Sequence, residues 1–451
     1  MHIRPITNFF NNEYCTYAEN VIVDRAIPHF VDGFKPIQRK IIYVANQLFK
    51  SEKDKPKKVF QLTGVVADRA NYHHGDASLN KAIINMTQDF KNSMPLFKGD
   101  GQFGSLRVPT DAQPRYVGVS MSNAFHKLYK DFELIESRIE DGVEVEPYFY
   151  LPIIPMVIVN GSSGIAVGYA SNILNRNVID VIDACLNVLN NKKIKTLYPY
   201  VKGFTGEVRR DDDNPLKWWR SGKIEVVNTS TLKITELHPH MSLKDYETFL
   251  DGLCDNKVIV DYENNSTECV EYIIKMRRDD LANAVQNNTL DKIFKLTCSD
   301  TENITVIDHE NKLRIYNNVE ELVSDFVHYR LQWYDKRKNY IIDKLTKEMR
   351  ILSNKAKFIK HIIEKKLKIN NMSKNDLIEY LDKNKFDKED NSYSYLYNMP
   401  IHSLTKETYD AILYDFNQKE IELKKITDAN IKDMYEQDLK DLKKELKGMN
   451  V

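Results

Sequence analysis

From Leu331 to Ile363 apolar residues recur at three- and four-residue steps: Leu331, Tyr334, Ile341, Leu345, Leu352, Ala356, Ile359 and Ile363. A helix carrying that stripe over 33 residues would be about 50 Å long. A second, weaker stripe follows at Ile421, Met434, Leu439, Leu442 and Leu446. Between them, roughly residues 367–418 are free of glycine and rich in Asn and Tyr. The pattern predicts an antiparallel coiled coil with a small helical knob at its tip. The chain has 451 residues, too many for one core, so roughly two to four domains are expected.

Charge is balanced overall, with 65 Lys/Arg against 65 Asp/Glu, but it is not evenly spread. Residues 20–130 hold 17 Lys/Arg and 9 Asp/Glu, whereas residues 131–147 hold seven acids and one base. A basic lobe followed by an acidic strip suits a phosphate-binding face on a neutral protein. The five cysteines, Cys15, Cys185, Cys254, Cys269 and Cys298, are scattered and show no C-x-x-C spacing. This argues for a reducing compartment without a disulfide framework or structural zinc. Met1-His2-Ile3-Arg4-Pro5 lacks an apolar signal segment, and no apolar run of about 18 residues could span a membrane. A cytoplasmic protein is expected.

Within the basic lobe, Tyr14, Tyr17, Ala18, Val21, Ile22 and Arg25 recur at helical spacing up to Pro28. Pro36 then suits the first turn of a second helix, with Ile37, Ile41, Val44 and Leu48 as its buried stripe. Lys50 to Lys58 reads as an exposed connection. Asp76 is placed to cap a third helix, in which Leu79, Ile83, Met86 and Phe90 face inward and Ser78, Lys81 and Asn85 face elsewhere. Helices joined by short turns, one with a polar outer face, resemble a helix-turn-helix reader of DNA. After Pro147, Met156-Val157-Ile158-Val159 is strand-like. Alternating segments near Ile224 to Ile234 and Lys257 to Asp261 predict a mixed α/β domain to about residue 318.

Several segments could carry chemistry. Gly99-Asp100-Gly101-Gln102-Phe103-Gly104-Ser105 precedes Ala112-Gln113-Pro114-Arg115-Tyr116. Free tyrosine titrates near pH 10, so only about one in a thousand is phenolate at pH 7. A nucleophilic Tyr116 therefore needs help, and Arg115 is an always-protonated neighbour able to stabilise negative charge. Among 25 tyrosines, an Arg-Tyr pair is ordinarily surface decoration; context singles this one out. Arg25, Lys35, Arg39 and Lys40 gather four cations at a turn and helix start, suited to phosphate oxygens or to a solvated basic turn. His73, His74 and Asp76 permit a metal reading, but a histidine donating to a phosphate fits better. Asp211-Asp212-Asp213 reads as a solvated loop. Asn160-Gly161-Ser162-Ser163-Gly164 lacks the Lys-Ser/Thr of a P-loop. Ile173, after Ser171-Asn172, is either a wedge between base pairs or core.

Taken together these segments resemble the breakage-reunion subunit of type IIA DNA topoisomerases. Arg25 to Tyr43 resembles R-A-L-P-D-x-x-D-G-L-K-P-x-x-R-R-x-x-Y. Tyr72 to Phe90 resembles Y-H-P-H-G-D with a helix ending Q-D-F. Pro95 to Ser105 resembles P-x-x-x-x-x-G-x-F-G-S, Ala112 to Tyr116 resembles A-A-x-R-Y, and Asn160 to Ile173 resembles N-G-x-x-G-I-A-x-G-x-x-x-x-I. Composition is most similar to the medium subunit of T-even-type bacteriophage enzymes.

The resemblance implies an α+β multidomain chain. Residues 1–155 would form a winged-helix (CAP-like) DNA-gate domain and 156–318 a mixed α/β tower. Residues 319–366 would be the outgoing coiled-coil helix, 367–418 the dimerising C-gate knob and 419–451 the returning helix. It implies that Tyr116 forms a transient 5′-phosphotyrosyl bond, with Arg115, His74 and Arg25 at the cleavage centre. Lys35, Arg39, Lys40, His73, Ser78 and Lys81 would contact DNA, and Ile173 would intercalate. Mg²⁺ and ATP would be bound by partner TOPRIM and ATPase subunits rather than by this chain. A homodimer on double-stranded DNA is expected, with relaxation or decatenation rather than negative supercoiling, since the chain stops soon after the second long helix. Departures are a Tyr72-His73-His74-Gly75 one residue shorter than Y-H-P-H-G, and Lys40 where arginine is common. Ala77 and Lys81 replace the residues that anchor a quinolone's metal–water bridge in sensitive bacterial enzymes, so weak action by that route is expected. The competing readings are a non-catalytic dimeric DNA-binding scaffold and a nuclease using His73, His74 and Asp76.

Overall fold

The computed structural model describes residues 6–51, 53–369 and 372–448. Met1 to Pro5, read as lacking a signal segment, and residues 449–451 lie outside them. The chain divides into two compact units, one of residues 1–330 with 436–451 and one of residues 331–435.

The first unit opens with a helical stretch, residues 6–26, in which α- and π-turns alternate. A loop with Gly33 in the left-handed region (φ 74°) leads into α1, Pro36–Leu48. Pro36 stands in its first turn, where a missing N–H costs nothing. Ile41, Ile42, Val44 and Ala45 form its buried face. Strand β1, Lys57–Lys58, ends the Lys-rich connection and runs directly into α2, Val59–Arg69. Helix α3, Asp76–Thr87, follows a short turn and buries Leu79, Ile83, Ile84 and Met86. Its N-cap is Gly75; Asp76 is already helical and accepts from the Ala77 N–H. Strands β2, Phe97–Asp100, and β3, Gly118–Met121, pair antiparallel and join β1 in the order β1-β3-β2. Three helices against a three-stranded antiparallel sheet make the expected winged helix.

Strands β4, Ser137–Glu140, and β5, Val143–Pro147, form a hairpin whose turn places Asp141 and Gly142 at positive φ. Met156–Val159 is a helical turn rather than the expected strand, with all four side chains buried. Period alone does not separate a short buried helix from a buried strand. The turn also buttresses Gly33, where a Cβ would lie 2.5 Å from the Val157 nitrogen. A second hairpin follows, β6, Ser162–Ile165, and β7, Ala170–Ile173.

The remainder of this unit up to Tyr316 is the mixed α/β region. A four-stranded antiparallel sheet holds Lys223–Asn228, Thr231–Glu236, Tyr272–Lys275 and Asp261–Asn264 in that order. Its core of Leu232, Ile234, Tyr272 and Ile274 is covered by Tyr246 and Leu250 of the helix Leu243–Asp255. Alternation over residues 224–234 thus marks a real hairpin.

The second unit contains most of the helix Val319–Ile363. Tyr334, Leu345, Ala356 and Ile359 of the expected stripe are buried. The returning helix begins at Lys406, earlier than the expected 419, with Thr405 capping it through the Thr408 N–H. It ends at Asp428, and a second helix, Ile431–Gly448, continues the chain. Lys419 pairs with Glu348, Lys338 donates to the Thr427 and Ala429 carbonyls at 2.8 and 2.7 Å, and Tyr334 stacks on Tyr435 at 4.5 Å. One partner series rises as the other falls, so the helices are antiparallel. The knob has its own core of Phe358, Leu367, Leu377, Leu381, Phe386, Tyr393 and Leu396. No described helix is long and apolar enough to cross a membrane.

Candidate active site

The wing loop between β2 and β3, residues 101–117, is tied down along its length. Gly101 and Gly104 adopt φ of 109° and 84°, which favours residues without a Cβ. The Gln88 side chain donates to the Phe103 carbonyl at 2.8 Å, and the Ala112 N–H to the Gln102 carbonyl at 3.0 Å. Arg107 pairs with Glu236 and donates to the carbonyls of His238, Leu237 and Met241 at 3.0, 2.6 and 3.0 Å. Beyond it, Gln113 to Tyr116 form a turn closed by Tyr116 N–H on the Gln113 carbonyl at 2.9 Å.

The start of α2 grips that turn. Val59 N–H donates to the Val117 carbonyl at 3.0 Å and Phe60 N–H to the Pro114 carbonyl at 3.2 Å. The Lys58 ammonium reaches the Tyr116 carbonyl at 2.7 Å. Val117 is buried, whereas Arg115 is exposed and Tyr116 is 66% exposed. The backbone is fixed and the phenol is offered to solvent, which is the presentation a nucleophile for a large substrate needs.

Around the first turn of α3, His73, His74, Asp76, Ala77, Ser78 and Lys81 are exposed. Lys81 holds Asp111 of the wing loop at 2.8 Å. The rings of Tyr72 and His74 meet edge to face at 5.5 Å. Burial raises the Tyr72 hydroxyl's pKa, and the positive charge of exposed Arg25 opposes that shift. Lys35 donates to the Ser163 carbonyl of β6 at 2.6 Å, and partial burial lowers its ammonium. The hairpin approaches this closely because residue 164 is glycine: a Cβ there would lie 2.1 Å from the Ala26 carbonyl oxygen and 3.0 Å from Lys35 Nζ.

Three expectations need correction. Arg39 is 7% exposed and is not on the phosphate-facing surface. Its Nε and Nη2 grip the fully buried Asp32 at 2.8 and 3.1 Å, and the same carboxylate accepts the Phe34 and Tyr150 N–H groups at 3.0 Å each. Lys40 is also structural, holding the Ala70 carbonyl at 2.7 Å, Glu146 at 3.1 Å and Glu140 at 3.4 Å. Ile173 is 3% exposed and belongs to the core, whereas Ile165 is 87% exposed near the hairpin tip. The pairings Ser162↔Ile173 and Ile165↔Ala170 place the two isoleucines on opposite faces. The sequence does not single out Lys58, which holds the Tyr116 carbonyl, Asp32, which holds Arg39, or the exposed Ile165: Lys58 is hidden in a Lys-rich run, and only alternation along the hairpin separates Ile165 from Ile173.

Magnesium prefers oxygen ligands. Among the described residues, the His/Cys/Asp/Glu side chains grouped closely enough to hold an ion are His240, Cys298 and Asp300. Asp300 is paired with Arg220, and the sulfur and imidazole donors do not suit Mg²⁺. His73, His74 and Asp76 form no such group. The residues at Tyr116 therefore do not fit a magnesium site by themselves.

Comparison with known proteins gives the lineage. The family comprising the A subunits of DNA gyrase and topoisomerase IV matches residues 25–443. DNA topoisomerase 2 of Plasmodium falciparum is 33% identical over 96% of this chain and 34% of its own length. The mitochondrial DNA topoisomerase 2 of Dictyostelium discoideum is 34% identical over 98% of this chain and 35% of its own. A crystal structure of the Plasmodium falciparum topoisomerase II DNA-binding, cleavage and re-ligation domain matches with a TM-score of 0.88 at 32% identity, covering 97% of this chain and 64% of that one. The chain spans about a third of the length of these curated relatives, which are eukaryotic enzymes rather than bacteriophage subunits. With the family match running from Arg25 through the clamped Tyr116 to the last helix, this chain belongs to the family of DNA gyrase/topoisomerase IV A subunits and carries its type IIA breakage-reunion domain.

Proposed function

We propose that this chain cleaves and religates double-stranded DNA as part of a type IIA topoisomerase. The observation that carries the reading is Tyr116, whose carbonyl and flanking peptides are held by Lys58 and the start of α2 while its phenol stays exposed beside Arg115. In this reading the Tyr116 oxygen attacks a backbone phosphorus, forming a P–O bond to the 5′ side as the bond to the 3′ oxygen breaks. The phenolic proton departs and the 3′ oxygen takes one up. The reverse attack reseals the strand, and no external energy is needed because one phosphodiester is exchanged for another. Arg115 offsets the charge growing on phosphorus, and Arg25, Lys35 and His74 orient the phosphate. His73, Ser78 and Lys81 lie along exposed α3 and its preceding turn, where a duplex would lie. Ile165, rather than Ile173, takes the wedge role.

One tyrosine per chain cuts one strand, so a double-strand break requires two copies, joined through the DNA gate and the knob. In this reading magnesium and ATP would be held by partner TOPRIM and ATPase polypeptides. Passage of a second duplex through the break would give relaxation or decatenation. The separate-subunit, T-even-bacteriophage-type arrangement rests on the Asn-, Lys- and Tyr-rich composition, and co-purification with such a partner tests it. The decisive experiment is detergent trapping of cleaved DNA with the partner present, followed by mapping of the modified peptide. A 5′ adduct on Tyr116, lost in Tyr116→Phe with DNA binding retained, is the expected result. Free DNA ends would instead indicate a nuclease, and binding without breakage a scaffold.

A further inference from the structure

The polar side chain that grips the nucleophile's own peptide lies nearly sixty residues upstream of it. Lys58 Nζ donates to the Tyr116 carbonyl at 2.7 Å. Lys58 pairs in register with Gly118 across β1 and β3, so the lysine stands beside the end of the tyrosine turn. The neighbouring N–H groups of Val59 and Phe60 hold the carbonyls of Val117 and Pro114. Gln61 in turn accepts the Lys58 N–H at 3.3 Å, fixing the lysine's main chain at the helix start. Helix α2 is also tied to α3, through the Thr63 hydroxyl donating to the Asn80 side chain at 2.8 Å.

We infer that Lys58 is a positioning residue for cleavage: it fixes the peptide between Tyr116 and Val117 and thereby the direction in which the phenol leaves the backbone. The inference rests on Tyr116 being the nucleophile. An ammonium bound to a carbonyl makes a charge-assisted bond, stronger than the neutral bonds that otherwise close the turn. Of the contacts on residue 116, the N–H bond to Gln113 is local to the turn and moves with it. The lysine bond is anchored instead on the sheet and on α2. Lys58 is exposed, so the rival role is a plain phosphate contact, and the two roles differ in what they move.

The test uses the assembled enzyme with its ATPase-bearing partner and compares Lys58→Met, Lys58→Arg and Tyr116→Phe with the unaltered chain. Single-turnover adduct formation and religation, DNA affinity against salt, and the pH midpoint of cleavage are measured. Lys58→Met should slow both chemical steps about ten- to hundred-fold, the cost of misplacing a reacting group. DNA affinity, its salt slope and the pH midpoint should stay unchanged, and Lys58→Arg should recover most of the rate. Unaltered cleavage by Lys58→Met overturns the inference. So does a salt slope reduced by about 0.9, the signature of one lost phosphate contact, or a displaced pH midpoint, which would mean that Lys58 acts on the phenol itself. An adduct mapping to a residue other than Tyr116 removes the parent reading as well, whereas a Tyr116 adduct with unaltered Lys58→Met kinetics removes the Lys58 inference alone.

Discussion

Arg25 and Arg39 look alike in sequence, but they should respond to substitution in opposite ways. In Arg39→Met the buried Asp32 keeps its Phe34 and Tyr150 N–H donors and loses both guanidinium bonds. A fully buried carboxylate without its counter-ion costs on the order of 3–5 kcal/mol. At about 1.4 °C per kcal/mol for a unit of this size, the first unit's melting temperature should fall by roughly 4–7 °C. Replacing both partners, as in Asp32→Leu with Arg39→Met, should recover much of that loss because no charge is left buried. Below the melting range, the slope of log affinity against log salt should be unchanged in Arg39→Met. Arg25→Met should do the reverse, with stability within about 0.5 kcal/mol and the slope reduced by about 0.9. Differential scanning calorimetry and DNA titration over a salt series measure both quantities. A reduced salt slope with an unchanged melting temperature in Arg39→Met would refute the structural role assigned to Arg39.

The two hairpin isoleucines give a second contrast. Ile173→Ala should destabilise by about 2–5 kcal/mol and Ile165→Ala by less than about 0.5 kcal/mol, while Ile165→Ala alone reduces DNA bending in a fluorescence-transfer assay; equal stability losses would count against the assignment. His29 gives a pH prediction. Burial, only partly offset by Asp32, lowers its pKa from about 6.5 to about 4, and its Nδ1 accepts the Val31 N–H at 3.2 Å. Because the folded state holds His29 neutral, its contribution is fully present above about pH 6.5 and is lost as pH falls towards 4, on the order of 3 kcal/mol in all. His29→Gln should flatten that part of the stability–pH curve, and an identical acid slope in the variant would show that His29 is not its source.

What could be read from the chain depended on whether local pattern or tertiary surroundings set the outcome. Pro36 at a helix start, the long apolar stripe beginning at Leu331, and the glycine-spaced loop ahead of Tyr116 are local signals, and each marks a real element. Helix α2 is not legible because Val59-Phe60-Gln61-Leu62 has no strong cap and follows a lysine run. Met156-Val157-Ile158-Val159 has strand-like composition, but a buried helical turn satisfies the same apolar run. Arg39 and Lys40 show why cations near a glycine turn do not identify a phosphate site. The deciding facts, Asp32 underneath one and Glu146 beside the other, lie 7 and 106 residues away in sequence. Ile165 and Ile173 differ only in which face of one hairpin each occupies.

The bonds made by Arg107 bear on the order in which the chain folds as it is made. Its acceptors, Glu236, His238, Leu237 and Met241, are separated from it by 129 to 134 residues. Such long-range contacts close late, because the intervening chain must first be ordered. On a ribosome, a nascent chain exposed only through its winged helix has Tyr116 and the α2 clamp but none of these four acceptors. The wing loop therefore reaches its final form only after the four-stranded sheet has been synthesised and folded. Translation order thus delays completion of the loop that carries Tyr116 until the domain that braces it exists, and a prematurely terminated chain lacks the brace.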